Sequence, residues 1–144
     1  MAFSSEEANM ATQVRPKRVG DDLATRLIDF AARIGNVVDS LPETRLGKHI
    51  AGQLVRCGTA GAPNYAEARG AESKRDFIHK LGICVKELRE SHCWLELIVR
   101  ANLMPEQRLA PLVDESDQLI AIIVSRFQPQ NLERINQTIG NDSL

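Results

Sequence analysis

The residue types that carry acid–base, nucleophilic or metal chemistry are sparse in this chain and poorly spaced for it. A carboxylate-bridged metal pair in a helical scaffold needs Glu-x-x-His motifs on facing helices, because residues three apart share a helix face. No such motif occurs, and its nearest approach, Glu90-Ser91-His92, places the two side chains on different faces. His92 with Cys93, and His79 near Cys84, are conceivable ligand pairs. Cys84, however, falls on an apolar stripe, where a thiol behaves as a small hydrophobe. The three cysteines, Cys57, Cys84 and Cys93, are odd in number and lack C-x-x-C spacing, so neither a disulfide framework nor a zinc ribbon is indicated. Gly58-Thr59-Ala60-Gly61 is too short to cradle a phosphate, and small residues at a helix contact explain it more simply. There is no nucleophile elbow or dinucleotide fingerprint. The residues therefore predict no catalytic site, no metal, no cofactor and no small-molecule substrate.

The charges say more than the nucleophiles. Across 144 residues, 18 Lys+Arg stand against 19 Asp+Glu, for a formal net charge of -1. With 43% apolar and 26% charged residues the chain is neither a disordered tail nor a polycation. Segment by segment the balance breaks: residues 42 to 101 carry a net charge of +3, while 21 to 41 and 102 to 128 carry -2 each. The basic part includes Arg69, Lys74, Arg75, Lys80, Lys86 and Arg89, which form a candidate phosphate-contacting, nucleic-acid-binding surface. The plainer reading is a solvated face laced with pairs such as Asp76 with Lys80 and Glu96 with Arg100. Aromatic residues make up only 4% of the chain and none interleaves this stripe, which argues against stacking on bases.

These residues must be carried by helices. Leu23, Leu27, Phe30, Ile34, Val37 and Leu41 recur at steps of four and three, the signature of one buried helix face. Asp21 or Asp22 suits its start as a cap, and Pro42 ends it. A second helix runs from about Thr44 to Gly70, with Leu46, Ile50, Leu54 and Cys57 inward. Pro63 within it is read either as a kink in one helix or as a break between two. The kink is preferred because Asn64-Tyr65-Ala66-Glu67-Ala68 at once resumes a helical pattern. A third helix, Ser73 to about Asn102, buries Phe77, Leu81, Cys84, Leu88, Ser91, Leu95 and Ile98, widened by Ile78, Val85 and Val99. A fourth, about Pro105 to Phe127, buries Leu109, Val113, Ser116, Ile120, Ile123 and Phe127. Four amphipathic helices with short links make an all-α, antiparallel up-down four-helix bundle over residues 20–128 the economical architecture. Residues 1–19 read as a loose arm and 129–144 as a polar, mobile tail.

No apolar run approaches the ~20 residues of a membrane span, and the N-terminus lacks the apolar stretch of a secretory signal, so a cytoplasmic location is expected. Ile83, Trp94 and Leu97 on the third helix, with Ile28 and Ile122 elsewhere, fall off the core stripes. Exposed together they predict a homo-oligomer interface.

At the second and third helices, Gln53-Leu54-Val55-Arg56, Pro63-Asn64-Tyr65-Ala66-Glu67-Ala68, Glu72-Ser73-Lys74-Arg75-Asp76-Phe77 and Val85-Lys86-Glu87-Leu88 follow one another. This succession resembles the four-helix-bundle proteins encoded in intervening sequences of bacterial 23S ribosomal RNA genes. That family is similar in turn to the accessory variability determinant proteins of diversity-generating retroelements. The resemblance covers about Asp21 to Phe127. It implies a bundle that assembles into a ring, often of five subunits, with a basic surface toward nucleic acid, RNA or an RNA–protein complex. A protein-only scaffold, or accessory subunit for a polymerase-like partner, is the alternative. Arg56, Asn64, Glu67, Ser73 and Glu87 match the family's recurring polar positions. Asn64 and Glu67 lie three apart just after Pro63, where they are placed to satisfy freed backbone groups. Arg56, Asn64, Glu67 and Glu87 are expected to form one structural polar cluster.

Overall fold

A computed structural model describes Pro16, Arg18 and residues 20–127. Apart from Pro16 and Arg18, the expectations for residues 1–19 and 129–144 lie outside the described residues. Four helices follow one another: α1 (Asp21–Ser40), α2 (Arg45–Arg69), α3 (Lys74–Arg100) and α4 (Glu106–Ser125).

Local chemistry sets their ends. The cap of α1 is Gly20, not an aspartate, in the left-handed region at φ 91°. A Cβ at that position would collide with the Tyr65 hydroxyl, which donates to the Gly20 carbonyl at 3.3 Å. Asp21 instead sits in the first turn, where its carboxylate suits the helix dipole and accepts from the Arg18 backbone N–H at 2.6 Å. Thr44 caps α2 by accepting from the Gly47 N–H, and Ser73 caps α3 by accepting from the Asp76 N–H, both at 3.1 Å. At the end of α3, Asn102 turns left-handed at φ 56°. The Leu103 and Asn102 N–H groups then close on the Ile98 and Val99 carbonyls, satisfying the last turn. Helix α2 continues unbroken through Pro63, which removes the reading of two helices. Proline withdraws the N–H that would bond the Thr59 carbonyl. Both residues face solvent, so the unpaired carbonyl lies on the open side of the helix rather than in the core.

Each helix packs on two neighbours in the order α1, α2, α3, α4 and back to α1, with α2 on α3 the most extensive contact. Contacts run in opposing order. Gly58 meets Ile34, while Tyr65, later in α2, meets Gly20. Cys57 meets Ser91, whereas Cys84 reaches back to the Gly61 carbonyl. The close approach of α1 and α2 rests on missing side chains. A Cβ at Gly58 would lie 2.6 Å from Ile34 Cγ2, and one at Gly61 3.3 Å from Leu27 Cδ2.

The stripes of α1 and α3 are buried as their spacing predicts. Two others need correction. Leu46 is 41% exposed, because Gly47 takes the inward position in the first turn of α2, tucked against the Pro42 carbonyl. In α4 the buried set is Leu109, Leu112, Ser116, Leu119 and Ile123, while Val113 and Ile120 are only half-buried and Phe127 packs at the edge. Both readings of α4 share Leu109, Ser116 and Ile123, and LIAIIV is apolar on every side, so only the neighbouring helices decide. Ile122, expected off the core, packs against it.

Candidate nucleic-acid interface on the third helix

The outward side of α3 is a single basic stripe. Arg75, His79, Gly82, Lys86, Arg89 and Cys93 step by four and three along the helix, and all are exposed. No carboxylate lies among them. Lys74, Arg75, Lys86 and Arg89 make no hydrogen bond or ion pair within the described residues. Lys74 and Arg75 occupy the first turn of α3, where the helix dipole disfavours positive charge. Their position adds nothing to the stability of that helix. The two remaining members of the expected basic set face elsewhere. Arg69 bonds Asp21 at 2.7 Å and lies 5.9 Å from the Tyr65 ring centre. Lys80 bonds Glu67 at 2.7 Å, a pairing that holds its ammonium pKa above the usual lysine value. The expected partner, Asp76, adds only a weaker attraction, since Lys80 points across to α2 rather than along α3. Glu96, expected with Arg100, lies instead 3.3 Å from His92 Nε2.

Beside this stripe runs the α2–α3 seam. Arg56 reaches Glu87 at 3.1 Å and Glu90 at 2.5 Å, and that hydrogen bond holds the Glu90 carboxyl below its usual range. One heptad further along, His49 meets Trp94 edge to face, with ring centres 5.7 Å apart. Trp94 is half-buried, and its indole N–H donates to Glu90 at 3.4 Å. The same register sets Leu46 opposite Leu97, both exposed, and Ala60 opposite Ile83. Ile83, Trp94 and Leu97 thus lie on one seam, interrupted by the Arg56 ion pairs. Of the expected polar cluster, Arg56 and Glu87 meet. Glu67 is held by Lys80, and the Asn64 amide donates back to the Ala60 carbonyl at 2.8 Å. His49 was not singled out from the sequence, Glu90 was noted only beside His92, and Leu46 was expected inward rather than on this seam. Their signal was the seven-residue interval linking His49 to Arg56 and Glu87 to Trp94.

The α4 side of α3 is acidic. His92 ties the two helices through Nδ1, 3.0 Å from Ser116 Oγ and 3.3 Å from Asp117. A shallow groove beyond it is rimmed by Glu96, Arg100, Glu106, Asp114 and Asp117. Among the described residues no three His, Cys, Asp or Glu side chains are set to hold a metal ion. No helix there is long and apolar enough to cross a membrane. Across the bundle, Arg26 joins α1 to Glu115 of α4 and bonds Gln118 at 3.1 Å.

A family profile described as 23S rRNA-intervening sequence protein matches residues 22–125, the span of all four helices. The chain belongs to this family. A solved member of the S23 ribosomal protein family from Bacteroides thetaiotaomicron, of unknown function, is 29% identical. It superimposes with a TM-score of 0.69, covering 74% of this chain and 98% of its own. No curated protein matches. That structure shares the fold of this chain.

Proposed function

We propose that this protein is a non-catalytic, RNA-associated adaptor acting as a cytoplasmic homo-oligomer, in a ring of about five subunits as the family resemblance implies. The observation that carries the RNA reading is the exposed stripe of α3, where Arg75, Lys86 and Arg89, with Lys74 beside it at the first turn, make no hydrogen bond or close ion pair within the described residues, Lys86 having only a longer-range attraction to Glu90. Exposed cations without a close partner add little to stability and are available to displace counterions from phosphates. The family's description, tied to ribosomal RNA, supports the same direction. Gel shifts with structured RNA test it: a shift at ~50 mM salt that fades by ~200 mM is expected. No shift at the lower salt would overturn it.

The apolar part of the α2–α3 seam, Leu46, Trp94 and Leu97, with Ile83 further along, supports the oligomer. It also favours a second reading, a scaffold or polymerase accessory subunit that binds protein alone. A pull-down treated with nuclease separates the two, since a protein-only complex survives the treatment and an RNA-bridged one falls apart.

A further inference from the structure

The exposed cations of α3 are not evenly spread. Arg75, with Lys74 beside it roughly 100° round the helix, stands at one end, and Lys86 and Arg89 stand at the other. Arg75 and Lys86 are 11 residues apart, close to three full turns, so they share a face at an axial separation of about 16 Å. Arg75 and Arg89 are about 21 Å apart on the same count. Between the groups the face is bare. Gly82 lies midway, exposed, and a Cβ there would meet nothing within 4 Å. The only ionisable residue in the gap on that face is His79.

This arrangement discriminates between forms of nucleic acid. A groove that tracks a single strand needs cations at short, regular intervals with aromatic rings between them for successive bases. Here the interval is three turns and the stripe carries no aromatic side chain. Trp94, the one indole, is turned toward His49 on the α2 side. The wide, shallow minor groove of A-form RNA, by contrast, is bordered by two well-separated phosphate rows. Two basic groups about three turns apart suit such a pair of rows, and double-stranded RNA is recognised chiefly through shape and backbone contacts across that groove. We propose that α3 binds double-stranded RNA by laying Lys74/Arg75 on one phosphate row and Lys86/Arg89 on the other, with Gly82 over the groove between them.

The inference rests on the RNA reading above, and its test separates the two. Fluorescence anisotropy would compare a blunt 20-base-pair RNA duplex with a 20-nucleotide oligouridine, each titrated with the full chain at several salt concentrations. The duplex is expected to bind at least tenfold tighter, with log affinity falling against log salt at a slope of about -3 to -4 for some four contacts. Gly82→Glu sets a carboxylate in the gap on an exposed helical site with room for it. It should weaken duplex binding at least tenfold while the circular dichroism spectrum is unchanged. R75Q/R89Q should lower the slope by about 2, whereas Lys48→Gln, a cation off this face, should not. Equal or tighter binding of the single strand, or a Gly82→Glu variant that binds the duplex normally, would overturn the groove-spanning mode and leave RNA association standing. Failure of both RNAs to bind at ~50 mM salt would overturn both.

Discussion

The three cysteines illustrate how burial, not residue type, decides reactivity. Cys57 and Cys84 are buried, and burial pushes the Cys84 thiol up to about 11 and raises that of Cys57 as well. Cys93 is exposed on the basic stripe. Titration of the native protein with a thiol reagent at neutral pH should therefore modify one cysteine rapidly and two only on denaturation. Cys93→Ser should abolish the rapid phase. Glu90 is the acid-side counterpart. Its hydrogen bond from Arg56 lowers the carboxyl pKa in the folded state, so its contribution is present above the unfolded value of 4.5 and is lost as pH falls through the folded one. Glu90→Gln should melt below the wild type at pH 7, and the difference should shrink as pH falls below 4.5 and vanish once the carboxyl is protonated in both states. A constant difference across that range would remove Arg56 as its source.

At the scale of the helix, two glycines in comparable helical settings should respond to the same substitution with opposite sign. Gly58 is buried against Ile34, and a methyl group there must displace that side chain. Gly58→Ala is expected to cost about 1–3 kcal/mol from overpacking of α1 on α2. Gly82 faces open space on α3, so Gly82→Ala should stabilise by about 0.5–1 kcal/mol through helix propensity alone. Thermal melts of the two variants measure both. Chemical denaturation of Gly82→Ala should show the gain as a shifted midpoint with an unchanged slope. The outer edges of the same helices follow the heptad. The interval that aligns Arg56 with Glu87 also aligns His49 with Trp94, so polar and aromatic pairs alternate along one seam.

The whole molecule divides its charge by face. Helices α2 and α3 hold the positive excess, α1 and α4 the negative, and the near-neutral total conceals the division. Leu46 and Leu97, both exposed at one end of the α2–α3 seam, are the residues whose removal should test assembly without touching the core. Leu46→Ser/Leu97→Ser should keep its helical spectrum and sediment as a smaller species than the wild type. An unchanged oligomer would place the interface elsewhere.

Much of the fold was legible because helical periodicity is a local property. The stripes of α1 and α3, the starts of α2 near Thr44 and of α3 at Ser73, and the stop near Pro42 depend on residues within one or two turns, and the sequence alone determined them. The division of charge between segments was equally a matter of counting. Where a segment was apolar on several faces, as in α4, or where a glycine competed with a leucine for the inward position, as at Gly47 and Leu46, only the neighbouring helices could choose. Pairing of long charged side chains belonged to the same class. Lys80 took Glu67 across the seam rather than Asp76 along its own helix, and Arg56 took Glu90 besides Glu87. Each of these is a competition between partners distant in sequence and comparable in energy. Distances across the bundle, which exist only once the chain has folded, settle it.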